Sequence, residues 1–142
     1  MNHLLREIDF TDPLSGVDEN SRVGATEAAL DLLGEIRAHH GPVILHQSGG
    51  CVGRSELLCL PMGELELAQH DVRIGEVDGA PVYIRAQHVE DWETFQMVLD
   101  VVRGHGGAFS LDAGMGRRFI VRCRKFSDAQ RNALGLATNT AR

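Results

Sequence analysis

Residues 26–46 read TEAALDLLGEIRAHHGPVILH, and this stretch decides the predicted fold class. Its first half places apolar side chains at helical spacing, and Thr26 occupies the position of an N-cap. The helix ends at Gly41-Pro42, because proline cannot continue a helix and glycine favours the turn that closes one. The apolar residues Val43 to Leu45 follow at once and predict a strand. A clear helix that leads directly into a strand predicts a protein containing both elements.

The remainder of the chain alternates short apolar runs with turns, which is typical of β-structure. Val77-Asp78-Gly79-Ala80 has the pattern of a hairpin turn, and Ser127 is placed to cap a short C-terminal helix. We therefore predict an α+β fold in which one long N-terminal helix packs on a mostly antiparallel sheet or roll. The later predicted strands are Glu64–Leu67, Val72–Ile74, Pro81–Ala86, Phe95–Val101 and a final pair, Ala108–Asp112 with Arg117–Phe126.

The length of 142 residues predicts one domain. We expect residues 1–23 to form a flexible or loosely docked N-terminal segment, because they lack any sustained hydrophobic period. Residues 24–135 then form a single globular domain, and residues 136–142 form a frayed C-terminal tail. The predicted sheet has edges to protect, and a homodimer is one way of covering them.

Composition argues against several classes of function. The longest apolar run, Leu57 to Met62, is far shorter than the roughly 20 residues of a membrane span. The N-terminus lacks the pattern of a secretory signal, so we expect a cytoplasmic location and no membrane partner. The net charge of −6 argues against nucleic acid, because phosphate neutralisation needs a basic surface. Five basic residues could still hold an acidic partner or form a solvated strand face: Arg117, Arg118, Arg122, Arg124 and Lys125.

The segment His46-Gln47-Ser48-Gly49-Gly50-Cys51 is the strongest candidate for a functional site. A predicted strand ends here, two glycines free the backbone, and a thiol is presented at the turn. His46, Cys51 and Cys59 are all competent ligands for zinc or another transition metal. Their spacing matches no standard zinc pattern. A fourth ligand would come from one of three further residues: His70, His88 or Cys123.

Two other kinds of chemistry fit the same residues. Cys51 could act as a nucleophile, with His46 as its base and backbone amides of the glycine turn stabilising the thiolate. Cys51 and Cys59 could instead form a reversible disulfide. Structural roles compete with each of these readings, since free cysteines are among the most buried residues. Cys123 shares strand parity with Phe119 and Val121, which predicts a core position.

Short segments from Gly41-Pro42 to Arg118-Phe119 together resemble a small bacterial family known only as domain of unknown function 779. HQSGGC at residues 46–51 is the most specific part, and the resemblance spans about Ala25 to Phe126. Members are often encoded beside an aldehyde dehydrogenase, which implies an accessory role in aldehyde or alcohol metabolism. The other segments that carry the resemblance are Cys59-Leu60-Pro61, Gly63-Glu64, Gly75-Glu76-Val77, Val82-Tyr83-Ile84, Asp100-Val101-Val102 and Phe109-Ser110-Leu111.

This chain departs from the family pattern Gly-Gly-Cys-Cys-Asp-Gly, because Val52 and Gly53 stand where the second cysteine and the aspartate are usual. The leading hypothesis is a non-enzymatic accessory protein that binds a metal or handles thiols beside an aldehyde dehydrogenase. The alternatives are a small enzyme that uses Cys51 and His46, and an interaction module that docks a partner through its basic strand or acidic middle.

Overall fold

The computed structural model describes residues 17–18, 21–51, 57–63, 70–104 and 110–136. The predicted strand Glu64–Leu67 and nearly all of the predicted terminal segments lie outside these residues. A short 3-10 turn at Ala86–His88 precedes the second helix. In chain order the elements are β1 (Val23–Ala25), α1 (Glu27–His40), β2 (Val43–Gln47), β3 (Leu57–Pro61), β4 (Asp71–Val77), β5 (Ala80–Arg85), α2 (Val89–Thr94), β6 (Phe95–Arg103), β7 (Arg117–Lys125) and α3 (Asp128–Ala133).

The strands form two sheets rather than one. A three-stranded sheet has the order β1-β6-β7, and a four-stranded sheet has the order β3-β2-β5-β4. Three of the strand pairs are antiparallel, whereas β1 pairs with β6 and β2 pairs with β5 in parallel. The α+β class is therefore confirmed, and the sheets combine both kinds of pairing.

The prediction of a long N-terminal helix on one sheet is wrong. Helix α1 has 14 residues, about 21 Å of helix. Its buried stripe joins a single hydrophobic core to which both sheets contribute. The helix is short because Gly41, at φ 80°, and Pro42 stop it before it could cover a whole sheet. No helix in the described ranges is long and apolar enough to cross a membrane.

Strand β7 pairs with β6, and the described residues 110–112 of its predicted partner do not form a strand. The two strands match residue for residue over nine positions, from Phe95 opposite Lys125 to Arg103 opposite Arg117. Residues 111–114 form turns instead of a strand, and residues 108 and 109 lie outside the described residues. The long alternating pattern of β6 offers more cross-strand pairs than a short segment can, which favours the observed partner.

Thr26 joins the start of α1 to the middle of β6. Its hydroxyl accepts a hydrogen bond from the Ala29 amide at 3.2 Å and donates to Asp100 Oδ1 at 2.8 Å. Arg122 Nε donates to the other oxygen of Asp100 at 2.6 Å. Burial opposes ionisation of Asp100, yet the hydrogen bonds from Arg122, Val101 and Thr26 together hold the pKa of this carboxyl below its usual value. The predicted N-cap is therefore confirmed, and it also anchors an ionic group of the sheet.

We expect Thr26→Ala to lower the free energy of unfolding by about 1–2 kcal/mol, because it removes a helix cap and one partner of Asp100. Urea denaturation followed by circular dichroism measures this loss. Thr26→Ser is the matched control, since it keeps the hydroxyl and should retain most of the stability. An alanine variant as stable as the serine variant would show that the cap contributes nothing.

Candidate functional site

A disulfide joins Cys51 to Cys123, which lie 72 positions apart in the sequence. Cys51 sits in the turn that follows β2, and Cys123 lies within β7, a strand at the end of its sheet. Their Cα atoms are 5.9 Å apart, and both residues are half-buried against the core. The register places Cys123 opposite Met97 on the core face, which confirms the predicted strand parity. The alternative of a Cys51–Cys59 disulfide is wrong.

Helix α2 holds the turn that carries Cys51. The indole nitrogen of Trp92 donates to the Gly49 carbonyl at 3.1 Å, and the Cys51 amide donates to Asp91 Oδ2 at 3.3 Å. Trp92 is fully buried, so its ring anchors this contact in the core. Two adjacent side chains of one short helix thereby fix the backbone on both sides of Gly50.

A side chain at position 50 would have to displace the Asp91 carboxylate. A Cβ atom there would overlap the Asp91 carboxylate and lie 3.4 Å from Nδ1 of His88. The turn therefore approaches α2 by its backbone, and the carboxylate occupies the space that a side chain would need. The close approach of Asp91 and His88 explains why position 50, one of the two glycine positions in the HQSGGC segment, carries no side chain.

We expect Gly50→Ala to lower the free energy of unfolding by about 1–3 kcal/mol, because the new methyl group displaces Asp91 from the Cys51 amide. Thermal and urea denaturation would measure this loss. In the background of Asp91→Ala the same substitution should cost much less, since the obstructing carboxylate is gone.

Gly34→Ala is the matched control for this substitution. Gly34 lies in α1 with nothing near the position of a new Cβ, so alanine should raise stability by about 0.5–1 kcal/mol. Equal costs for Gly50→Ala with and without the Asp91 carboxylate would contradict the steric explanation.

Cys59 lies apart from this turn, in the core of the protein. Its side chain is fully buried, and its amide donates to the Ser110 hydroxyl at 2.9 Å. Burial, with a smaller contribution from the negative charge of Asp112, raises the pKa of the Cys59 thiol to about 12. The thiol is therefore protonated and unreactive at neutral pH, because the thiolate is the nucleophile and the metal ligand.

His46 and Cys59 point to opposite faces of the four-stranded sheet. Cys59 pairs with Leu45 on the core face, whereas His46 pairs with Leu58, one residue further along each strand. A metal ion bound to both would require a shift of register by one residue, which reverses the faces of a strand. His46 Nε2 instead lies 3.3 Å from Asp71 Oδ1, and both side chains are largely buried.

The residues predicted to bind a metal, His46, Cys51 and Cys59, are therefore not brought together in the structure. The predicted catalytic residues Cys51 and His46 each make a different contact instead. Within the described ranges no three His, Cys, Asp or Glu side chains are arranged to hold a metal ion. His46 contacts Asp71, Cys51 is bonded to Cys123, and Cys59 is in the core. Of the proposed fourth ligands, His88 lies beside the Gly50 turn, whereas His70 lines a pocket of about 340 Å³ with Asp71 and Arg85.

Several guanidinium groups of the basic strand β7 make ion pairs or hydrogen bonds with other parts of the protein. Arg122 binds Asp100, and Arg117 binds Glu35 at 2.7 Å. Arg124 donates to the side chain of Gln96 and to the Val17 carbonyl. These contacts connect β7 to its own sheet, to α1 and to the N-terminal segment, so several members of the basic cluster have partners within the protein.

Sequence reasoning did not identify Asp91 as part of the site. The residue contacts Cys51 only because α2 and the HQSGGC turn meet in space, 40 positions apart. The position of Cys123 on the core side of β7 was the available signal for its pairing, yet parity alone does not indicate which cysteine it meets. Asp91 and Cys123 therefore meet the HQSGGC turn through contacts that no short window of sequence shows.

The fold and the site define a small α+β protein in which a disulfide fastens a glycine turn to a strand at the edge of its sheet. The chain belongs to the family described as domain of unknown function DUF779, which matches residues 32–125. The matched region contains both cysteines of the disulfide and the helix that holds the turn. No curated protein and no solved structure matches the chain.

Proposed function

We propose that the protein is a thiol-handling accessory protein in which Cys51 and Cys123 are reversibly oxidised and reduced. One observation supports this proposal above the others: a disulfide joins two half-buried cysteines, one of them on a glycine turn against a carboxylate. The third cysteine is buried and has a raised pKa. The redox chemistry of the described residues therefore resides in this single pair.

The compartment predicted from the sequence favours a redox role. In the cytoplasm disulfides are uncommon, and those that occur are usually catalytic or redox-sensing rather than structural. A bond between partly accessible sulfurs can be reached by an external thiol, whereas a fully buried bond cannot. Both features support the proposed redox role over a purely structural one.

The proposed reaction is thiol–disulfide exchange with a small-molecule or protein thiol. An external thiolate attacks Cys51 Sγ, the bond to Cys123 breaks, and Cys123 leaves as a thiolate that takes up a proton. A second external thiol attacks the mixed disulfide at its outer sulfur and releases Cys51. Two external thiols are thus oxidised to one disulfide, and the protein gains two thiols. The reverse sequence oxidises the protein.

Equilibration of the purified protein with defined ratios of reduced and oxidised glutathione tests the proposal. Rapid alkylation followed by mass spectrometry counts free thiols under native conditions. We expect Cys51 and Cys123 to convert together in a two-electron transition above about −300 mV, the range of labile rather than structural disulfides. Cys59 should become alkylated only after denaturation.

Two variants make this experiment specific. Cys59→Ala should preserve the transition, because that thiol takes no part in the exchange. Cys51→Ser should abolish it and leave Cys123 as a single free thiol. A pair that stays oxidised far below −300 mV, or never becomes oxidised in any glutathione mixture, would overturn the proposal.

The resemblance to the family also favours one class of thiol partner. We propose that the thiols exchanged belong to an aldehyde dehydrogenase or a related oxidoreductase, with this protein as its accessory. Co-expression of such an enzyme with the Cys123→Ser variant should trap a mixed disulfide on Cys51, since the resolving thiol is absent. The Cys51→Ser variant is the control and should trap much less. Equal trapping by the two variants would contradict this assignment.

A further inference from the structure

Among the residues that the structure describes, Asp91 places a carboxylate in direct contact with the turn that carries Cys51. Its Oδ2 atom accepts the Cys51 amide at 3.3 Å and occupies the space in front of Gly50. Because the amide nitrogen and the sulfur belong to the same residue, we expect this negative charge to act on groups that approach Cys51 Sγ.

The other charged side chains of β7 and α2 lie in positions different from that of Asp91. Arg122 and Arg124 flank Cys123 in sequence but project to the opposite face of the sheet, where they bind Asp100 and Gln96. Lys125 shares the face of Cys123, two residues further along β7, and is exposed. Within α2, Glu90 is exposed.

Asp91 also favours one direction of attack on the disulfide. Asp91 contacts the backbone of Cys51, so we expect its negative charge to destabilise a thiolate that leaves from Cys51 more than one that leaves from Cys123. The better-stabilised thiolate is the better leaving group, which favours attack at Cys51. The incoming thiol then approaches the sulfur that lies beside Asp91.

We propose that Asp91 makes the Cys51–Cys123 pair selective for thiols that carry no negative charge, with cationic thiols preferred over anionic ones. This inference rests on the proposed exchange function and names its substrate class. An anionic thiol is repelled by Asp91 as it approaches Cys51, and a thiol with an ammonium group is attracted. In water one unit charge at about 4 Å changes a rate roughly fivefold at low ionic strength.

The experiment compares two small thiols of opposite charge, cysteamine and mercaptoacetate. Reduction of the oxidised protein is followed at low ionic strength, and each rate constant is expressed per thiolate to remove the difference in their pKa values. We expect Asp91→Asn to lower the ratio of the cysteamine rate to the mercaptoacetate rate about 25-fold, because the charge of Asp91 changes the rates of the two thiols in opposite directions by about fivefold each. Asparagine keeps the size and the hydrogen-bond acceptor of the aspartate while removing its charge.

Glu90→Gln is the matched control, because it removes one negative charge from the same helix at an exposed position, and it should leave the ratio nearly unchanged. In the unaltered protein, 0.5 M salt should reduce the ratio, since it screens the interaction. This second measurement requires no variant.

The possible results distinguish failure of the charge selectivity from failure of the exchange function on which it rests. Exchange with both thiols at a ratio that neither Asp91→Asn nor salt changes would overturn the charge selectivity and leave the exchange function intact. A disulfide that neither thiol can reduce would overturn the exchange function itself. A lowered ratio in the asparagine variant together with an unchanged ratio in the Glu90→Gln variant supports the inference.

Discussion

Reduction of the Cys51–Cys123 disulfide is expected to lower the free energy of unfolding by about 4 kcal/mol. The two cysteines are 72 positions apart, and closing a loop of this length removes much conformational freedom from the unfolded chain. Small domains are stabilised by only about 5–15 kcal/mol in total. Urea denaturation with and without dithiothreitol would measure the difference.

A Cys51→Ala/Cys123→Ala variant is the control for the reductant. Without the disulfide, dithiothreitol should change nothing, and the variant should resemble the reduced protein in stability. The prediction fails if the oxidised and reduced proteins unfold at the same urea concentration. Oxidation of this pair therefore alters both its reactivity and the stability of the whole fold.

Replacement of Trp92 by alanine is expected to lower the free energy of unfolding by about 3–5 kcal/mol. Trp92 is the largest of the fully buried side chains in the described ranges, and its removal leaves a large cavity in the core. It also removes the donor to the Gly49 carbonyl. The loss is measured by urea denaturation with circular dichroism, because the chain has no other tryptophan for fluorescence.

Two further substitutions divide this effect into its parts. Trp92→Phe keeps most of the apolar ring but removes the indole donor, so a loss of about 1–3 kcal/mol is expected from the unpaired carbonyl together with the smaller ring. Met62→Ala serves as a surface control, since Met62 is 51% exposed and should cost less than about 0.5 kcal/mol. Losses of similar size for Trp92→Ala and Met62→Ala would contradict the anchoring role.

Features that depend on interactions between nearby residues were predicted correctly from the sequence. Thr26 caps α1, Ser127 caps α3 through a capping box, and Gly41 ends α1, all as predicted. The hairpin at Asp78-Gly79 is also confirmed, with both residues at positive φ. Each of these features depends on hydrogen bonds or backbone angles within a few residues, so short windows of sequence contain the necessary information.

The sheet arrangement could not be predicted in the same way. Strand β1 pairs with β6 across more than 70 residues, and β2 pairs in parallel with β5. Alternation indicates which side chains share a face of a strand but not which strand lies beside it. The same limit explains the site, because three cysteines allow three pairings, and spacing alone favours none of them.

The contacts of the HQSGGC segment depend on residues that lie far away in sequence. Asp91 and Trp92 reach it from α2, and Cys123 reaches it from β7. His46, the predicted base for Cys51, instead contacts Asp71 on the face of the sheet opposite to Cys59. Proximity along the chain was therefore a poor guide to proximity in the fold.

The disulfide also determines how the molecule responds to mechanical force. Cys51 and Cys123 close a covalent ring that contains β3 to β6 and most of β7, while α1 and β2 remain outside it. When the oxidised chain is pulled from its ends, tension passes through the sulfur bridge and bypasses the enclosed segment. About 250 Å of contour length stays hidden until the bridge is reduced. Oxidation thus sets how far the protein can stretch.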